Sequence, residues 1–290
     1  MASYYCLMAG APDLRLTDDT QRVSLAEMTE QCNEALTPED RKLMFYFYLY
    51  WDCKNLVKLL KDPDAEIEEK GNYCMEQYVD LITSAKELTF NVHRYPKFLS
   101  EFARAYESNK EKENYFPEDE IMLDYYEYAI KCPNKMMRKW FQLNLNLNNI
   151  LTALIARKNG WEVANYVKGD DEVTDMLRTN TSKDFDLSYE LEYVKDLMNI
   201  VEETDPVQKE RRIDVFRWNW LEEKTFFEPF CIEAVFAYMC KLQMLERWSV
   251  LDPEQGKAVF QQIINDLRGE AKVPEEFKPV SVLKSLMKMK

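Results

Sequence analysis

The residues best suited to chemistry in this chain are few. The stretch GDDEVTD (169–175) gathers Asp170, Asp171 and Asp175, a spacing that in an all-helical enzyme could hold Mg²⁺ against a prenyl diphosphate. That chemistry also needs a second acidic metal motif and nearby bases for the diphosphate, and neither accompanies it. Asp170 or Asp171, following a glycine and opening a segment, equally suits a helix N-cap. His93, the one histidine, lies in FNVHRYPKF, which specifies no nucleophile beside it, and one histidine cannot supply the paired E-x-x-H motifs of a di-iron bundle. Phosphate-cradling glycine loops and the G-x-S-x-G elbow do not occur in the sequence. The seven cysteines are scattered without a C-x-x-C pair and read as reduced, mostly buried thiols of a cytosolic protein. The expectation is a non-enzyme with no catalytic, cofactor or metal residue.

A different set of polar residues is harder to dismiss. Asp52 and Asn55 fall within YFYLYWDCKNLVKLLKD (46–62), on the same stripe as Leu49, Leu56 and Leu59. Side chains three or four apart share a helix face, so a carboxylate and an amide are carried toward an apolar core. The pattern recurs: YFYLYWDCKNLVKLL (46–60) lies over WFQLNLNLNNILTAL (140–154), with Phe47 on Phe141, Asp52 on Asn146, Asn55 on Asn149 and Leu56 on Ile150. A third, degenerate copy is read at IDVFRWNWLEE, beginning near Asp214 with Asn219 in the asparagine role. An unpartnered buried polar group costs ~1–3 kcal/mol, so matched positions demand matched partners. Asp52, Asn55, Asn146 and Asn149 are therefore expected to be structural clamps between helices.

The elements that must position them are helices. Six glycines in 290 residues are too few for the many tight turns of a sheet protein. Hydrophobic periodicity predicts helices over 20–36, 38–61, 73–88, 96–108, 118–130, 135–158, 190–203, 206–223, 230–248 and 253–267. Polar breaks at 63–72, 106–120 and 202–212 read as loops inside one domain covering 1–290. The opening MASYYCLMAGAPDLRL lacks the basic start of a signal peptide and reads as part of the fold. No apolar run approaches the ~20 residues of a spanning helix. A net charge of −14 disfavours nucleic acid and anionic membrane alike. The short segment 279–290, with Lys284, Lys288 and Lys290 among apolar residues, reads as a terminal helix rather than a membrane anchor.

The start YYCLMAGAPDL, the repeated [DN]-x-x-N-[LI] helices and the segment PFCIEAVFAYMCKLQMLERWSVLDPEQGKAVFQQIINDL resemble the C subunit of V-type and archaeal-type ATPases, called d in eukaryotes. The likeness is nearest to a bacterial branch whose genes lie beside those of V-type ATPases. Tyr238, Lys241, Glu246 and Arg247 occupy the region of that family's K-E-x-E-I-x-N-[LI]-R signature. The chain departs from it in the Lys-to-Glu spacing, in Leu242 where the family has Glu, and in Asn146 where it has a second Asp. The resemblance implies a funnel-like all-α bundle of three quasi-repeats, here near 1–115, 116–205 and 206–290. It implies a non-catalytic central-stalk subunit that joins the membrane rotor ring to the central-shaft subunits and couples rotation to ion or proton transport. Such a protein would be cytoplasmic and reach the inner membrane through the ATPase complex. A helical-repeat adaptor for some other protein is the competing reading, and the prenyl-diphosphate enzyme a third.

Overall fold

The structure, a computed structural model, describes residues 3–16, 23–87, 94–112 and 115–250, with side chains to 248. His93, the helix expected over 253–267 and the basic segment 279–290 lie outside the described residues. The chain divides into two compact units, Met1–Gln243 and Met244–Lys290. Described residues of the second are the last turns of one helix.

The fold is all-α: eleven α-helices and no strand occur among the described residues. They are α1 (Tyr5–Gly10), α2 (Leu25–Ala35), α3 (Pro38–Lys61), α4 (Met75–Glu87), α5 (Lys97–Asn109), α6 (Pro117–Ala129), α7 (Lys135–Lys158), α8 (Glu172–Thr179), α9 (Val194–Val201), α10 (Pro206–Thr225) and α11 (Ile232–Val250). Local chemistry sets their starts. Thr37 accepts the amide of Asp40 ahead of Pro38 in α3, Asn134 accepts the amides of Met136 and Met137 in α7, and Asp205 accepts that of Val207 beside Pro206 in α10. Ser24 and Glu27 form a reciprocal capping box on α2.

The two longest helices, α3 and α7, have 24 residues each and are buried on most of their circumference. In α3 Trp51, Asp52 and Cys53, then Asn55, Leu56 and Val57, are all enclosed. A helix surrounded in this way needs neighbours on every side. Helix α3 packs against α5 and α6, α6 bridges to α7, and α7 packs against α8 and α9. Around the second half of α7 the core is Leu147, Ile150, Phe185, Leu187 and Leu197, with α9 supplying Ile200 and Val201. Helix α11 enters between the two long helices: Phe236 meets Phe47 edge-on at 6.0 Å and Phe141 edge-on at 5.8 Å. Such pairs contribute about 0.5–1.5 kcal/mol each beyond their buried area.

The opening segment is part of this body. The Tyr4 amide donates to the Phe230 carbonyl at 2.7 Å, and the Tyr4 hydroxyl donates to Asp40.

Candidate functional site

The repeated polar pairs do the same work in both long helices. Asn55 grips the main chain of residue 68 with both ends of its amide, Nδ2 donating to the Glu68 carbonyl at 2.8 Å and Oδ1 accepting its N–H at 2.8 Å. Asn149 grips residue 168 in the same way, Nδ2 donating to the Lys168 carbonyl at 2.8 Å and Oδ1 accepting its N–H at 3.1 Å. Each asparagine thus satisfies both polar groups of one loop residue and ties the loop after a long helix back onto that helix.

The residue one turn earlier holds a tyrosine hydroxyl in both cases. Tyr78 of α4 donates to Asp52 Oδ1 at 2.7 Å, and Asn146 Nδ2 donates to the Tyr193 hydroxyl at 3.2 Å. Asp52 takes more partners: the Asn72 N–H at 2.7 Å, Asn72 Nδ2 at 2.6 Å and the Tyr73 N–H at 3.3 Å. Asn146 instead accepts from Gln142 Nε2 at 2.8 Å. Burial pushes the Asp52 carboxyl up to about 6, against the opposing pull of Tyr78, Asn72 and Tyr73. Gly71 is required by this hub. A Cβ there would lie 2.4 Å from Asp52 Oδ1 and 3.0 Å from the Tyr78 hydroxyl. Tyr78, Asn72, Gly71 and Tyr193 were not singled out in the sequence. A usable cue is a Lys-Gly pair shortly after each polar helix, in EKGN (69–72) and VKGD (167–170).

Residues 1–271 match the protein family described as "Protein of unknown function (DUF2764)". The chain belongs to that family. No curated protein and no solved structure matches it.

The remaining residues singled out in this DUF2764 chain fall at several places. The third copy expected at Asp214 and Asn219 is corrected: Asn219 is exposed, while Asp214 is wholly buried, its Oδ1 3.5 Å from Arg217 Nη1. Aligning Phe236 with Phe47 and Phe141 instead places Lys241 of α11 at the register of Asp52 and Asn146. Lys241 Nζ donates to Glu222 Oε1 at 3.1 Å and lies 4.7 Å from the Trp218 ring centre. Burial lowers its pKa, with Glu222 pulling the other way. A cation facing α10 thus stands at the register where Asp52 and Asn146 hold tyrosine hydroxyls. Tyr238 donates its hydroxyl to the Pro12 carbonyl at 2.9 Å, joining the AGAPDL segment to α11. Glu246 and Arg247 lie in the second unit, where the Arg247 guanidinium is 5.8 Å from the Trp248 ring centre.

In the acidic stretch, Asp171 is the N-cap of α8 and forms a capping box with Thr174. Asp170 and Asp175 each lie 3.7 Å from Arg178. Among the described residues no group of three His, Cys, Asp or Glu side chains is arranged to hold a metal ion. No helix there is long and apolar enough to cross a membrane. Five cysteines (32, 53, 132, 231 and 240) are buried and Cys6 and Cys74 are exposed, all seven as free thiols.

Proposed function

We propose that this chain is a non-catalytic central-stalk subunit of a V-type ATPase, standing between the membrane rotor ring and the central shaft and passing rotation between them. The observation that carries the reading is the duplicated clamp. The [DN]-x-x-N-[LI] helices on which the resemblance rests hold equivalent loops by equivalent bonds, Asn55 on residue 68 and Asn149 on residue 168. A part that transmits torque must not yield at its corners, and tying each loop back to a buried helix stiffens the corner where a load would be taken. The acidic charge supports a route to the membrane through protein partners, since an anionic surface repels the chain. In this role the protein is cytoplasmic and peripheral to the inner membrane through its complex.

Co-sedimentation tests the reading. The purified chain is expected to remain in the supernatant with anionic vesicles at physiological salt, and to pellet with membranes that carry an assembled rotor ring. Equal pelleting with ring-bearing membranes and with membranes stripped of the ring would count against it.

A further inference from the structure

The corner between α10 and α11 leaves large apolar side chains in water. Phe226 and Phe227 are 75% and 90% exposed, their rings edge to face at 5.1 Å. Burying one such side chain contributes about 1.5–3 kcal/mol, so two adjacent exposed ones are a candidate contact surface. On α1, Tyr5, 60% exposed, lies 4.8 Å from the ring of Phe230, three residues after Phe227. Helix α1 is six residues long, or roughly 9 Å. Its far end, Gly10 to Pro12, lines an open cleft of about 490 Å³ with the face of α2 that presents Glu27, Glu30 and Glu34. Among the described residues lining that cleft there is no Lys or Arg. Helix α1 thus carries an exposed aromatic ring at its start and borders the acidic cleft at its end.

We infer that this surface docks a basic amphipathic helix of a partner protein, with apolar residues on Phe226, Phe227 and Tyr5 and Lys or Arg side chains in the cleft. Charge decides against an anionic lipid surface: the chain carries a net charge of −14, and beside the aromatic pair Lys224 is paired with Glu223 while Glu228 adds a further negative charge. The absence of a strand among the described residues leaves no sheet edge for an extended peptide, so the helix is the recognition mode that fits. The inference does not depend on which complex hosts the chain.

The test uses the purified full chain and a synthetic amphipathic peptide of about 18 residues, five helical turns, with Leu and Phe on one face and Lys on the other. A charge-reversed Glu version is the control. Binding of the Lys peptide is expected, weakening about tenfold in Glu30→Gln/Glu34→Gln and again in Phe226→Ser/Phe227→Ser. Glu111→Gln/Glu127→Gln, which removes the same charge elsewhere, is expected to leave it unchanged. All three variants alter exposed side chains, and melting curves check that each is folded. Equal affinity for the Glu peptide, or equal weakening by the distant pair, would overturn the inference. So would Phe-dependent adsorption to phosphatidylcholine vesicles or Phe-dependent self-association in place of peptide binding.

Discussion

Asp52 is enclosed, and burial raises its carboxyl to about 6. In the unfolded chain it titrates near 3.9. Between those values the folded state binds more protons than the unfolded one, so this residue's contribution to stability falls as pH rises through the window. Asp52→Asn removes the titration. Wild type should therefore gain on the order of 2–3 kcal/mol relative to the variant as pH drops from 7 to 4, by urea unfolding at several pH values. Parallel pH curves would show that the carboxylate is better solvated than its surroundings indicate. The two asparagines make a complementary prediction. Asn55→Leu and Asn149→Leu should each cost about 1–3 kcal/mol, nearly additively, because each strands the polar groups of one loop residue. Amide exchange at Glu68 should quicken only in the first, and at Lys168 only in the second. That these residues point inward was legible in the sequence from their place on an apolar stripe. Their partners were not, because a main-chain N–H or carbonyl in a loop 13 or 19 residues away leaves no mark on side-chain patterning.

Among the elements, α3 and α7 have the bounds expected of them, since proline, N-cap and terminal lysine fix both ends in the sequence. Helices α1 and α8 escaped as helices. The first is six residues with no side-chain cap bond, and the second is eight residues behind Asp171, one of the two aspartates that suit a helix N-cap in the sequence. The helices expected over 96–108 and 206–223 correspond to α5 (Lys97–Asn109) and α10 (Pro206–Thr225), so the polar stretches 106–120 and 202–212 overlap helix ends. The equivalent of the two long helices is marked by the aromatic register of α11 rather than by the polar residues of α10. Phe236, set edge-on to Phe47 and Phe141, carries that register. Phe236→Ala should cost about 3–5 kcal/mol in thermal or urea unfolding, whereas truncation at exposed Phe227 should cost little. The loop after α3 has its own requirement: Gly71→Ala should destabilise by about 1–3 kcal/mol by driving a methyl group onto Asp52. Gly10→Ala, with nothing within 4 Å of the added carbon, should be neutral or better. Equal effects of the two glycine variants would mean that the loop moves aside at no cost.

For the whole molecule, composition carried the fold class and little of the role. Few glycines and long apolar periodicities dictate helices, but a bundle without a recognised site is open to many uses. The duplicated clamp, which ties the loops after α3 and α7 back to buried helices, is the observation on which the proposed stalk role rests. On the ATPase reading the chain's neighbours are the ring and shaft subunits; on the adaptor reading they are something else. Affinity purification of the tagged chain from its native host decides between these most directly. The account predicts that V-type ATPase subunits are recovered with it in fixed proportion after a high-salt wash. Recovery of a different stable partner, with ATPase subunits no more abundant than in an untagged control, would contradict it.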